Sequence, residues 1–164
     1  MSANELAAQI SARLSALMSE EVATLRTALA HLHDERRALE AGDVDSLPVL
    51  AARKSETYGR LTQLGDARTA LVARAGCKPA KGDIAALFAS GPEWAACRKP
   101  FSDLMALARE AHDANEANGL LIRALMKSSQ QALAVLMSAA EQASTYGPDG
   151  QATASTSRRS FGSA

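Results

Sequence analysis

The feature that most constrains this chain is a long series of apolar residues spaced four positions apart at first and, from Val22 onward, alternately three and four positions apart. The first series spans residues 3–41 and contains Leu6, Ile10, Leu14, Met18, Val22, Leu25, Leu29, Leu32 and Leu39, with Arg36 at its one polar turn. This spacing puts the residues on one face of an α-helix and is typical of a coiled coil or an antiparallel helical bundle. The chain is therefore predicted to fold as helices that each bury one stripe of apolar side chains.

A second helix is predicted to follow after a short turn. Gly42 is expected to end the first helix in the left-handed conformation, and Asp45 or Ser46, followed by Pro48, suits the start of the next helix. The apolar face of this second helix contains Leu47, Leu50, Lys54, Tyr58, Leu61, Leu64, Leu71 and Val72. We expect the helix to end at Gly76 and to form a hairpin with the first.

An irregular connector precedes the third long helix. It contains Gly76, Pro79, Gly82, Gly91 and Pro92. These residues exclude one regular element, although a helical turn at Ile84–Phe88, capped by Asp83, is expected. The third helix then opens at Pro92 or after Pro100, because Pro100 predicts either a kink or a separate first segment.

The third helix has its own series with heptad spacing. It reads Trp94, Cys97, Phe101, Leu104, Ala108, Ala111, Asn115, Asn118, Ile122, Leu125, Ser129, Ala132, Leu136, Ala140 and Ala143. This register places Asn115 and Asn118 in the buried seam, where an amide can specify the register because a slipped helix would leave it unpaired. Gly119 is expected to let a neighbouring backbone approach. Alternatively, the register drifts and both asparagines face water.

A second apolar stripe lies beside this seam and contains Met126, Leu133 and Met137. It widens the apolar face and could accept an amphipathic partner helix, for which flexible Met side chains are well suited. The alternative is that the stripe is core, because a three-helix bundle buries a wider stripe than a two-stranded coil does.

Composition narrows the class of protein further. Aromatic residues supply only 4% of the chain, and a core of Ala and Leu favours helices over sheets. Eighteen basic residues balance eighteen acidic ones, which argues against nucleic acid and against an anionic membrane surface as partners. The sequence shows neither a secretory signal nor an apolar run that could span a membrane. We therefore expect a cytoplasmic protein with Cys77 and Cys97 as free thiols.

No catalytic, metal or cofactor site is predicted. His31 and His33 are two positions apart and do not share a helix face, and His112 has only Glu116 within one turn on its side. The two cysteines lack the paired spacing of zinc sites, and glycine-rich phosphate motifs are absent. These observations favour a binding protein over an enzyme.

The predicted architecture is all-α: an elongated antiparallel bundle of three main helices, up-down-up, with a long, coiled-coil-like third helix. The bundle is expected to occupy residues 1–144. Residues 145–164 are rich in Ser, Thr, Gly and Ala and are predicted to form a flexible, disordered tail. Tyr146 stands at the root of this tail, either as an interface anchor or folded back over the helix end.

Two short motifs connect the chain to a known family. Asn115, Asn118 and Gly119 form an Asn-x-x-Asn-Gly segment, and Tyr146, Gly147 and Gly150 form a Tyr-Gly-x-x-Gly segment after the last helix. With the "EAGDVDSL" turn and the Leu-rich first helix, these motifs resemble the FlgN family of flagellar export chaperones over nearly the whole chain.

The resemblance implies a function. FlgN-like chaperones bind the C-terminal helical regions of the hook-filament junction proteins FlgK and FlgL in the cytoplasm, prevent their premature assembly and deliver them to the export gate protein FlhA. They do so without a cofactor. A Tyr in the position of Tyr146 is implicated in docking to FlhA.

We expect a partner-binding surface made of Asn115, Asn118, Gly119, Met126, Leu133, Met137 and Tyr146. Homo-oligomer formation is left open. The alternative function is that of a structural coiled-coil or granule-associated helical protein that self-associates.

Overall fold

The described part of the chain, residues 3–76 and 83–145 of a computed structural model, is helical and contains no strand. The elements are α1 (Ala3–Ala41), α2 (Leu47–Arg74), α3 (Asp83–Ala89), a 3₁₀ turn (Pro92–Trp94) and α4 (Ala95–Thr145). The prediction of an all-α fold with three long helices is confirmed. Contacts divide the chain into two compact units, one ending at Leu121 and one beginning at Ile122.

The end of α1 is set by Gly42, as predicted. Its φ of 69° lies in the left-handed region that only glycine adopts without strain. The backbone N–H of Gly42 donates to the carbonyl of Leu39 at 3.2 Å, and that of Asp43 donates to Ala38 at 2.9 Å. This pair of bonds is a Schellman motif, which satisfies the last carbonyls of the helix.

The start of α2 is organised by Asp43 and not by a capping side chain on Ser46. Ser46 flanks the helix, but its hydroxyl makes no capping bond. Instead the Ser46 hydroxyl donates to Oδ2 of Asp43 at 2.5 Å, and the Ser46 backbone N–H donates to Oδ1 at 3.2 Å. These bonds lower the pKa of Asp43.

Within the first unit, α1 runs antiparallel to α2 and parallel to the first part of α4. Ion pairs from Glu21 to Arg68 and from Glu35 to Lys54 show the antiparallel order of α1 and α2. The hydrogen bonds that join Ser15 to Ala96 and Leu32 to Asn118 show that α1 and the first part of α4 run in the same direction. The up-down-up order is therefore confirmed. The core is lined by Ile10, Leu14, Met18, Val22, Leu25, Leu29 and Leu32 of α1, by Val72 of α2, and by Phe88, Trp94, Cys97, Leu104 and Ala111.

The pair between Glu21 and Arg68 is largely removed from water. Glu21 is 3% exposed, and Nε of Arg68 donates to both of its carboxylate oxygens, at 2.9 and 3.2 Å. Burial raises the pKa of Glu21, and the charge of Arg68 opposes that rise. The pair thus contributes to the order of the hairpin while the carboxylate still carries a desolvation cost.

The short helix α3 covers the start of α4 with aromatic side chains. The rings of Phe88 and Phe101 meet edge to face, with their centroids 5.3 Å apart. Nε of Arg98 donates to the Phe88 carbonyl at 2.7 Å, which satisfies one of the last carbonyls of α3. Cys97 is a buried free thiol, and its Sγ donates to the carbonyl of Ser11 at 3.3 Å. Cys77 lies outside the described residues.

Helix α4 runs through Pro100 without a break, so a separate first segment before Pro100 was the wrong alternative. Proline has no N–H, which leaves the carbonyl of Ala96, four residues earlier, without its helical donor. The hydroxyl of Ser15 on α1 donates to this carbonyl at 2.9 Å. A tertiary hydrogen bond therefore replaces the missing helical one and ties α1 to α4.

Replacing Ser15 with alanine is expected to destabilise the protein by about 1 kcal/mol, the net value of one hydrogen bond. In a Pro100→Ala background the same change should cost less than half as much, because the substituted alanine supplies the missing backbone N–H. Urea unfolding of wild type, both single variants and the double variant measures this coupling. If the loss of Ser15 costs the same unfolding free energy in both backgrounds, its hydrogen bond does not compensate for the missing N–H of Pro100.

Replacing Arg68 with alanine should cost about 3 kcal/mol at pH 7, because it leaves the buried Glu21 carboxylate without its partner. The cost should shrink as the pH falls from 7 towards 5. A Glu21 whose pKa is raised in the folded state takes up a proton there before it does in the unfolded chain, so lower pH favours the folded variant. Urea unfolding across this range tests the sign, with Arg53→Ala on the exposed face as control.

Candidate partner-binding surface

Asn118 is buried inside the first unit, as the heptad register predicted. It is 2% exposed, and its amide nitrogen donates to the carbonyl of Leu32 at 2.8 Å and to Oε2 of Glu35 at 2.9 Å. Both neighbours are acceptors, so the nitrogen and not the oxygen of the amide must face them. The two N–H groups of Asn118 are thereby satisfied by α1.

Glu35 connects this amide to α2. It is 7% exposed, and its Oε1 accepts a hydrogen bond from Nζ of Lys54 on α2 at 2.6 Å. We call Glu35, Lys54 and Asn118 the polar cluster. Tyr58 lies near it, and its pKa is raised by burial and by the negative charge of Glu35. The cluster therefore joins α1, α2 and α4 at one level of the core.

The prediction that Arg36 occupies the polar turn of the α1 seam was wrong. Its side chain is 53% exposed and pairs with Glu40 on the same helix at 2.8 Å. The adjacent Glu35 takes the buried position instead. The physical reason is pairing, because Glu35 finds two donors on neighbouring helices that satisfy its carboxylate.

The expectation that Asn115 is also buried was wrong. It is exposed, and the residue before it, Ala114, packs against the core instead. The buried and half-buried positions run Leu104, Leu107, Ala111, Ala114 and Asn118, and the predicted Ala108 is likewise exposed. The seam takes two successive steps of three, from Phe101 to Leu107, so that Leu107 and Ala114 replace Ala108 and Asn115 while Ala111 and Asn118 keep their predicted places.

Gly119 is half-buried within α4. Close approach of another backbone at this position stays a prediction. Tyr146 and residues 146–164 of the predicted tail lie outside the described residues, so the roles expected for them also stay predictions.

In the second unit, α4 carries an apolar face, defined by Ile122, Leu125, Met126, Leu133, Leu136 and Met137, with Ser129 as the one polar residue inside it. At 100° per residue these six positions fall within an arc of about 120° on the helix. Five of them are exposed: Leu125 by 40%, Met126, Leu133 and Met137 by 57% each, and Leu136 by 67%. This is a wider stripe than a two-stranded coil requires.

The apolar face is not core. Every residue from Arg123 to Gln142 is exposed, so Met126, Leu133 and Met137 do not pack in the interior of the described chain. The core alternative for this stripe was therefore wrong. Ile122, Leu125 and Leu136, expected in a buried seam, belong to the same face. Contiguous exposed apolar residues of this kind mark interaction surfaces.

The described residues offer no other chemistry at this surface. They contain no group of three or more His, Cys, Asp or Glu side chains that could hold a metal ion. Within the same residues, none of the helices has the length and hydropathy that crossing a membrane requires. The arrangement can bind an apolar partner, and its geometry suggests a helix.

A comparison with protein families finds one that covers most of the chain. The family model described as FlgN protein matches residues 10–154. No curated protein and no solved structure matches.

Replacing Asn118 with alanine should destabilise the protein by about 2 kcal/mol, because Glu35 loses a charge-assisted hydrogen bond and a small cavity forms. The matched control is Asn115→Ala, which changes the other asparagine of the same motif. Since Asn115 is exposed, that variant should stay within about 0.5 kcal/mol of wild type. Equal losses of unfolding free energy for the two variants in urea would contradict the assignment of Asn118 to the core and Asn115 to the surface.

Proposed function

Since the chain belongs to the FlgN family, a family of flagellar export chaperones and not of enzymes, we propose that it is a cytoplasmic chaperone for the hook-filament junction proteins FlgK and FlgL. It holds their C-terminal helical regions, prevents premature assembly and delivers them to the export gate protein FlhA. No cofactor takes part in these steps.

The observation that carries this proposal is the exposed apolar face of α4. An amphipathic helix that lies along it covers Leu133, Leu136 and the two methionines, which are exposed by 57% or more in the free chain. Burying a Leu or Met side chain fully is worth roughly 1.5–3 kcal/mol before the cost of association is subtracted. Burial of the face thus provides a driving force for binding a helix.

The side chains of the face also suit more than one client. Met126 and Met137 are unbranched and adapt to differently shaped partners, whereas Leu133 and Leu136 between them are stiffer. FlgK and FlgL can therefore use the same face with different side chains. A client helix held in this way keeps its own apolar stripe covered, which prevents it from assembling early.

Delivery to FlhA is assigned to Tyr146. It comes directly after the last helical residue, Thr145, and an aromatic ring with a hydroxyl is a good interface anchor. The docking site for the gate is thus adjacent in sequence to the client site, so one chain can engage both partners.

The same exposed face supports a second function, that of a structural helical protein that self-associates or coats a granule. A second copy of α4 could cover the face in place of a client. The two functions differ in stoichiometry, because a chaperone forms a defined complex with its client whereas a structural protein forms large homo-oligomers unaided.

The test is titration calorimetry with the C-terminal helical fragments of FlgK and FlgL, together with light scattering to measure mass. Wild type should form a complex of defined stoichiometry. Leu133→Glu should weaken binding at least about tenfold, because it places a charge in the centre of the buried face. The control is Val135→Glu, because Val135 is 68% exposed and lies about 160° away around the helix.

Val135→Glu should stay within about twofold of wild type, since surface changes away from a contact have small effects. Equal losses in the two variants would contradict the face as the client site. Absence of any complex with either fragment, together with large homo-oligomers of the chain alone, would favour the structural function.

A further inference from the structure

The two edges of the apolar face differ in charge. Arg123 and Lys127 lie about 40° and 80° beyond Met137 around the helix, one turn apart on the same side. We call this side the basic edge. The other edge, beyond Leu125, carries no charge up to Gln142 among the described residues: it contains Ala124, Ser128, Gln131, Ala132, Val135, Ala139 and Gln142.

The charge of the basic edge is not neutralised by the helix itself. Residues 122–140 contain these two cations and no Asp or Glu, and the next acidic residue on this side, Glu141, lies five turns beyond Arg123. Within the described part of the chain, Arg123 and Lys127 form no ion pair. Their long side chains can cover apolar surface with their stems while the charged ends stay in water.

From this asymmetry we infer that the helix bound by the apolar face carries carboxylates along one edge and that these meet Arg123 and Lys127. The inference rests on the proposed function, because it specifies the partner of the same face. The apolar face supplies affinity, and the basic edge fixes the direction and rotation of the bound helix. A helix with basic residues on that edge is rejected.

A client helix fits this edge better than a second copy of α4 does. Between residues 122 and 142 a second copy of α4 has one carboxylate, Glu141, which an antiparallel copy could bring to Arg123, and it has no second one for Lys127. A homodimer through this face would leave one cation of each basic edge unmatched, so the charge pattern favours an amphipathic helix with several carboxylates as occupant.

The experiment is calorimetry with the FlgK and FlgL C-terminal fragments at low and high salt, comparing wild type with the double variant R123E/K127E. The double variant should bind roughly tenfold more weakly at about 0.05 M salt, because two exposed attractions become repulsions. The difference should fall to about twofold at 0.5 M salt, where the charges are screened.

The matched control is R53E/R109E, which changes the net charge by the same amount. Arg53 on α2 and Arg109 on α4 are both exposed and form no ion pair within the described residues. This control should bind within about twofold of wild type at both salt concentrations. A client fragment with its Asp and Glu residues replaced by Lys should bind R123E/K127E more tightly than it binds the wild-type chain. This is the opposite of the order expected for the unmodified fragment.

If wild type and R123E/K127E bind the fragments with equal affinity at every salt concentration, the inferred role of the basic edge is wrong, while the proposed chaperone function stands. An equal loss in R53E/R109E would overturn that role too, because the effect would then come from net charge alone. Absence of binding by wild type would overturn the proposed function itself, and the edge with it. The three outcomes are thus distinguishable in one set of titrations.

Discussion

The first unit depends on one polar interaction inside an apolar core, the contact of Glu35 with Lys54 and Asn118. Leucine seams alone tolerate sliding, because every heptad offers a similar surface. A buried carboxylate tolerates it far less, since it is stable only where its donors lie. The polar cluster has its donors on α2 and α4 at a single level. It therefore favours one register for all three helices together.

This register has a consequence for α4. Asn118 is the last buried residue of the helix among those that the structure describes, yet the apolar spacing continues through Met137. The same apolar spacing therefore has two roles along α4. Up to Asn118 it supplies core, and from Ile122 it supplies an exposed face that a partner helix can cover. A binding protein needs such a division, because apolar surface used in its own core is lost to a client.

The Asn-x-x-Asn-Gly segment illustrates why a motif does not assign the role of its residues. Asn118 is satisfied by Leu32 and Glu35, whereas Asn115 is exposed to water. One asparagine holds the bundle together, and the other remains available for contacts with a partner. The motif gives both positions the same residue type, but only packing shows that their physical tasks differ.

The end of α1 was determined by the sequence itself, because it depends on neighbouring residues. Apolar spacing predicted α1 over residues 3–41, and the freedom of Gly42 to adopt positive φ explains its end. Which residue of an adjacent pair faces the core was decided by the tertiary structure alone. Glu35 and not Arg36 is buried, and Ala114 and not Asn115 packs against the core. Adjacent residues differ by 100° around a helix, so their facing depends on which donors and apolar side chains the other helices present.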